Sequence, residues 1–261
     1  VTALFETDGD GVVATMLTQG PWDPDAQFGG GPCALLTWAV ERVPTLVPMR
    51  IARLTFDMHR PVPLGRLDVT TEVVREGKRL QVVVARIVRD GVEVARCTAL
   101  RLRLGDGPTT GTDPRLATLA RPPHPEGCNV VRFRATGLSA FLAALEVRSP
   151  GEDLVEAWFH VLLPVVDDEA PSPELRVATV ADFAANAANY LDQTRWSCIN
   201  PDLTIHFARP PRGEWTGIRS RSWYSPDGTG HARGDLFDLD GYVGTVTSTS
   251  LVDEAPAPFT V

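Results

Sequence analysis

Polar and apolar residues alternate through most of this chain, and the alternation gives way to a helical period in two places. The first is 27–43, where Leu35, Leu36, Ala39, Val40 and Val43 form a broad apolar face. Pro32 suits the first helical turn and Pro44 supports the stop. The second is 178–190, with Val177, Val180, Ala181, Ala184 and Ala188 as its apolar stripe. Asp182, Asn186 and Asn189 fall at i, i+4 and i+7, a polar line beside that stripe. A plain solvent-facing helix fits this pattern. A wet face of that length would usually carry Lys, Arg or Glu, however, and one acid with two short amides suits a small enclosed site better.

Period-two alternation predicts strands at 4–7 and 12–18, turned through Asp8-Gly9-Asp10-Gly11. Four longer strands follow the first helix, at 50–58, 65–75, 79–89 and 92–104. Their tight connections make consecutive strands antiparallel neighbours. Residues 105–129 are rich in Gly, Pro and Thr and read as an exposed linker. Beyond it, strand-like segments recur at 141–147 and 154–163, then the second helix, then strands at 202–208, 214–222, 230–238 and 242–252. The expected fold class is α+β, with domains 1–104 and 130–261, each a long helix wrapped by a curved antiparallel sheet.

The two halves repeat. Arg60-Pro61 after the first post-helix strand is answered by Arg209-Pro210, 149 residues on, and Asp90-Gly91 by Asp240-Gly241, 150 residues on. Shared order at near-constant offset argues for an internal duplication. Joining the two sheets edge to edge would also remove exposed edges.

Composition narrows the function classes. At 261 residues, 43% hydrophobic and 22% charged, the chain can bury a sizeable core. Net charge is -8, Lys78 is the single lysine, and no basic run appears, which disfavours nucleic acid. No apolar run long enough to span a bilayer and no signal-peptide pattern appears, so no membrane insertion and a cytoplasmic location are expected. Cys33, Cys97, Cys128 and Cys198 lack metal-site spacing, His-Glu-x-x-His is absent, and neither metal nor cofactor is expected. Gly-x-Ser-x-Gly is also missing, and no histidine has triad spacing, which disfavours a serine hydrolase. Gly29, Gly30 and Gly31 leave the first amides of the first helix unshielded, open to an anion or a developing oxyanion. A tight turn explains the glycines equally well, and the Lys of a phosphate loop is absent.

A strand pair, a Gly-rich start to a long helix and four antiparallel strands with an Arg-Pro turn resemble the hotdog fold. Two such units in one chain resemble the double-hotdog acyl-CoA thioesterase II family, the TesB-like thioesterases. Phe28-Gly29-Gly30 through Arg60-Pro61 carries the likeness in the first half and 178–252 carries it in the second. The resemblance implies hydrolysis of an acyl-CoA substrate to free acid and coenzyme A, without a covalent acyl-enzyme. In that family an aspartate, a threonine and a glutamine orient the attacking water. The aspartate matches Asp182 and the threonine position falls on Asn200. The glutamine position falls on Ser248, or on Thr249 if no residue is deleted from the Asp240-Gly241 turn. Asn186 and Asn189 become candidates for anchoring Asp182 or binding substrate, and Gly29, Gly30 and Gly31 for oxyanion contact. Trp22 and Trp196 are candidate tunnel residues, and Arg209, Arg212 and Arg219 candidate contacts for coenzyme A phosphates. Because only Asp182 is kept as such, a non-catalytic acyl-CoA or lipid binder is an alternative. A hotdog hydratase or dehydratase would want a paired His and acid near the Gly-rich helix, and none lies there. Pairing into a homodimer or higher oligomer would follow from an apolar outer sheet face.

Overall fold

Helix α1, Gly30–Glu41, is buried along nearly its whole length; only Trp38 and Glu41 are partly exposed. A helix apolar on all sides must be wrapped, and the strands supply the wrapping. In this computed structural model, which describes residues 3–21, 23–107, 120–132, 140–192 and 194–255, the strands form one continuous antiparallel sheet. The first half gives β1 (Phe5–Asp8), β2 (Gly11–Ala14), β3 (Met49–Met58), β4 (Gly65–Arg75), β5 (Leu80–Arg89) and β6 (Val92–Arg103). The second gives β7 (Asn129–Val130), β8 (Leu145–Ser149), β9 (Glu156–Val161), then α2 (Pro173–Ala181) and α3 (Phe183–Ala187). It ends with β10 (Trp196–Ile199), β11 (Asp202–Phe207), β12 (Trp215–Tyr224), β13 (Thr229–Asp238) and β14 (Gly241–Glu254).

The sheet order is β1-β2-β4-β5-β6-β3-β11-β14-β13-β12-β9-β8-β7, with β10 paired to β14. Read outward from the β3–β11 junction, the order is the same in both directions as far as β1 and β8. At that junction Leu54 and Phe56 of β3 face Ile205 and Leu203 of β11, and all four are fully buried. Burying side chains of this size is worth about 1.5–3 kcal/mol each, so the join is a core contact. The two Arg-Pro turns are built alike. The amides of His59 and Arg60 both donate to the Val94 carbonyl, at 3.0 and 3.2 Å, and those of Ala208 and Arg209 both donate to the Val243 carbonyl, at 2.8 and 3.4 Å.

α1 and α2 cross at close range because Gly30 has no side chain: a Cβ there would lie 2.2 Å from the Thr179 carbonyl oxygen. They run antiparallel, Gly29 at the start of α1 meeting Asp182 after α2, and Glu41 at the end of α1 meeting Ser172 before α2.

Several expected boundaries move. The second helix begins at Pro173, where Ser172 caps it by accepting from the Leu175 amide, and it breaks at Asp182 instead of running through 190. Asn189 therefore lies beyond α3, and its Oδ1 accepts from the Leu191 amide at 2.9 Å in a side-chain turn. Residues 16–18 and 141–144, expected in strands, lie in the 3₁₀ turns Met16–Thr18 and Ala140–Ala144. The end of the expected linker is packed: the Trp158 indole donates to the Pro123 carbonyl at 2.7 Å, and Pro125 is buried. Strand β10 falls in a stretch for which no strand was expected.

Candidate active site

The two halves meet again at one end of the helix pair, and the contact is polar. Residues 25–27 are zipped to the segment after the first Arg-Pro turn: the Gln27 amide donates to the Val62 carbonyl and the Leu64 amide to the Asp25 carbonyl, at 2.8 and 2.9 Å. From the second half, the Pro201 carbonyl accepts from the Met58 amide at 2.7 Å. These bonds hold the start of α1, the His59-Arg60 turn and the Asn200-Pro201 turn around one cavity of about 540 Å³. Its wall is largely apolar, with Phe28, Pro32, Met58, Val62 and Ile199 among its residues. Phe28 continues inward through packed rings: it stacks on Phe141 at 5.0 Å and meets Phe183 tilted at 4.9 Å, and Phe183 meets Phe159 tilted at 4.8 Å. This aromatic column fixes the residue beside Phe183, which is Asp182.

Asp182 sits on the cavity wall at the joint between α2 and α3, only 3% exposed. Its Oδ1 accepts from the Asn200 side-chain amide. The carboxylate lies against Gly29, where a Cβ would be 2.8 Å from Oδ2 and 2.9 Å from Cγ. Gly29 is the N-cap of α1 and offers no capping side chain. A carboxylate at a helix start is favoured by the helix dipole, yet burial outweighs every other influence here. Desolvation pushes the Asp182 pKa up to about 6, against the opposing hydrogen bond from Asn200.

The other sequence candidates divide. Asn186 is on the wall, and its Nδ2 donates to the Asp182 carbonyl at 3.4 Å. Gly29 is on the wall too, whereas Gly30 is filled against Thr179 and Phe141. The Gly31 amide donates to the Phe28 carbonyl at 2.9 Å, which removes it as an oxyanion donor. Ser248 points inward from β14 and is buried, with a hydroxyl that has no hydrogen-bond partner among the described residues, but it is not on the cavity wall. Thr249 points outward and bonds Asp202 at the surface through both its amide, at 2.8 Å, and its hydroxyl. Asn189 is off the wall, as is Trp196, which lies under the Arg195 guanidinium at 5.0 Å. Trp22 lies outside the described residues. Arg209, Arg212 and Arg219 are also off the wall, each bonded to a carboxylate: Asp238, Asp240 and Glu156 respectively. On the wall but absent from the sequence candidates are Gln27, His59, Arg60 and Cys198. Burial raises the Cys198 thiol's pKa, which leaves it a poor nucleophile.

The opposite end of the helix pair provides a contrast. A second cavity, about 460 Å³, lies there, with Glu41, Arg42, Arg50, Arg101 and Glu174 on its wall. Glu41 takes the place relative to α2 that Asp182 takes relative to α1. Its carboxylate is already engaged, accepting from the Ser172 hydroxyl at 2.5 Å, and the charged wall suits an acyl chain poorly. The apolar cavity with the Asp182–Asn200 pair is the better reaction site.

Comparison with known proteins follows this geometry. Family models match over most of the chain: acyl-CoA thioesterase N-terminal domain at 18–102 and acyl-CoA thioesterase C-terminal domain at 106–252. Among solved structures, a conserved protein of unknown function with hot dog fold from Alicyclobacillus acidocaldarius aligns with a TM-score of 0.70 at 16% identity, covering 97% of this chain and 96% of that one. The acyl-CoA thioesterase II TesB2 of Mycobacterium marinum gives 0.67 at 17% identity, with 98% and 97% coverage. The tesB protein of Mycobacterium avium subsp. paratuberculosis gives 0.66 at 15%, with 95% and 96% coverage. At these identities the likeness carries the hotdog fold. No curated protein matches the chain.

Proposed function

We propose that this chain, which belongs to the acyl-CoA thioesterase family and is a thioester hydrolase, cleaves its substrate with a water activated by Asp182 and steered by Asn200. The observation that supports the reading is a buried carboxylate with its pKa near 6, bound by one amide and set at the start of α1 in an apolar cavity. A carboxylate of ordinary pKa is a weak base, whereas one near 6 is ionised at neutral pH and accepts a proton more readily. Asp182 takes a proton from the water as its oxygen forms a bond to the thioester carbonyl carbon. The oxyanion that develops lies towards the start of α1, where the helix dipole is positive. Collapse breaks the carbon–sulfur bond, and the proton held by Asp182 passes to the departing thiolate. The products are a carboxylic acid and the free thiol, with no acyl-enzyme. Asn200 fixes one carboxylate oxygen so that the other meets the water. Ser248, the serine aligned with the third position of the resembled family, is buried off the cavity wall, so in this reading Asp182 and Asn200 position the water.

In the same proposal the chain is a double hotdog, with units 1–104 and 130–261 joined by 105–129. The outward-repeating strand order and the paired Arg-Pro turns support it. The catalytic test is steady-state release of free thiol from medium- and long-chain acyl-CoA by wild type and Asp182→Asn, with substrate binding measured separately. Equal rates for the two proteins, above the uncatalysed background, would remove Asp182 from the mechanism.

A further inference from the structure

We infer that Arg60 holds the phosphate-bearing end of the substrate; this rests on the thioesterase reading and adds to it the side on which coenzyme A lies. The two halves each place an arginine at the same turn, with the same pair of amides donating to one carbonyl. Their side chains have opposite fates. Arg209 grips Asp238 with both terminal nitrogens, at 2.6 and 2.5 Å, and adds the carbonyls of Pro210 and Gly241. Asp238 is the last residue of β13. The last residue of β5, at the same 149-residue offset, is Arg89. Where the second half has a clasping acid, the first has a cation.

Arg89 is itself engaged, donating to Asp90 Oδ2 at 3.1 Å and to the Arg66 carbonyl. Glu93, the acid that His59 of the turn meets, is shared by His59 at 3.2 Å, Arg96 at 2.5 Å and Arg86 at 3.3 Å. Among the described residues the Arg60 guanidinium has neither an ion pair nor a hydrogen bond, and the residue is exposed and borders the cavity that holds Asp182. The duplication therefore kept the turn and released its arginine on the one copy that borders the cavity.

Charge elsewhere on the wall sets the direction of approach. Asp23, Asp253 and Glu254 also border this cavity, and they repel a phosphorylated nucleotide. Among the described wall residues, Arg60 is the arginine that attracts it. A guanidinium matches phosphate with two parallel N–H donors, a geometry that a lone ammonium lacks. With the thioester carbonyl at Asp182 and the acyl chain among the apolar wall residues, the pantetheine arm leads out to Arg60.

The test compares one acyl group on two thiols, coenzyme A and phosphate-free pantetheine, in wild type, Arg60→Ala and Arg60→Lys. For Arg60→Ala the ratio of kcat/KM between the two thioesters is expected to fall roughly three- to tenfold, the range for an exposed charge-assisted contact that salt partly screens. The loss should lie in KM for acyl-CoA, weaken the salt dependence of that KM, and be partly restored by Lys. A ratio equal to wild type in Arg60→Ala overturns the assignment while leaving the hydrolysis intact. If wild type cleaves neither thioester, the thioesterase mechanism fails on its own, and calorimetric binding of coenzyme A decides Arg60. Weaker binding by Arg60→Ala then supports the contact, and equal binding overturns it.

Discussion

The Asn200 side-chain amide donates to Oδ1 of Asp182, while Oδ2 is the oxygen nearest the missing Cβ of Gly29. One carboxylate thus joins three separate stretches of chain: a helix joint, the turn before β11 and the cap of α1. Among the described residues no cation neutralises this charge, so the carboxylate relies on one amide and the helix start. Asp182→Asn keeps the size of the side chain and an oxygen for Asn200 to donate to, but removes the proposed base. Thiol release should fall roughly 10²-fold or more, the usual range for a lost proton-transfer group, with the far-ultraviolet circular dichroism spectrum unchanged.

The pH dependence of both rate and stability follows from the same group. Its pKa is raised in the folded state, from 3.8 to about 6, by burial. As a base it must be ionised, so kcat/KM should rise with pH through about 6 and then level off. For stability the sign is opposite: between these two pKa values the folded protein binds more protons than the unfolded chain. Asp182 therefore costs stability as pH rises through that window, by up to about 3 kcal/mol at neutral pH for a shift of this size. Asp182→Asn should melt higher than wild type at pH 8 and equal to it near pH 4. A variant that melts lower at pH 8 would mean that the ionised carboxylate has a favourable partner.

Gly29→Ala separates geometry from charge. The backbone at Gly29 is helical, with φ -56° and ψ -25°, so alanine fits the chain conformation. The added methyl does not fit the carboxylate, which would have to move off a 2.8 Å approach. A misplacement of about 1 Å in a catalytic group costs roughly 10²-fold in rate, and the smaller shift needed here should cost roughly tenfold. Expected, then, are a fall in kcat of that size and a folded protein. An unchanged kcat would show that Asp182 has freedom to retreat without losing its water.

Much of this could be read in the chain beforehand, for a physical reason. Period-two alternation is strong in long half-buried strands, and the Arg-Pro turns are hydrogen-bonded alike in both halves. The break at Asp182 was hidden because the alanine stripe continues through it: Ala181 and Ala184 keep the helical period on both sides of the joint. β10 was missed because Trp196–Ile199 is too short to display a period. At the site, Asp182, Asn200, Asn186 and Gly29 lie on one wall, while Gly30, Gly31, Asn189, Ser248 and Thr249 do not. Gln27, His59 and Arg60 reach it through turns, where periodicity says nothing about direction. A usable signal for Arg60 did exist, in the mismatch between Arg89 and Asp238 at the ends of equivalent strands.

Ser248 is the sharpest remaining question about the site. Strand alternation puts Ser248 and Ser250 inward and Thr249 outward, so the inward candidate is the serine aligned with a one-residue gap. Its hydroxyl is buried with no partner among the described residues, and an unsatisfied buried hydroxyl costs about 1–3 kcal/mol. A dry orphan would be a pure liability, and Ser248→Ala would then raise the melting temperature and leave turnover alone. A hydroxyl that holds the reacting water behaves differently: the same variant should lose about tenfold in kcat, as for a missing hydrogen bond of about 1.4 kcal/mol in the transition state, without melting lower. The first outcome is the one expected, because Ser248 lies off the wall that carries Asp182 and Asn200. Ser248→Gln tests reach, since the longer amide is the group that the resembled family places here. Ala232, directly across on β13, is small and itself buried, so it leaves some room but no access to solvent. The added volume should cost about 1–3 kcal/mol of stability, read as a lower melting temperature, while kcat rises if the amide reaches the water beside Asp182. Turnover by Ser248→Ala equal to wild type, together with a higher melting point, leaves the Asp182–Asn200 pair to position the water alone, whereas a loss of kcat without a lower melting point would bring Ser248 into the mechanism.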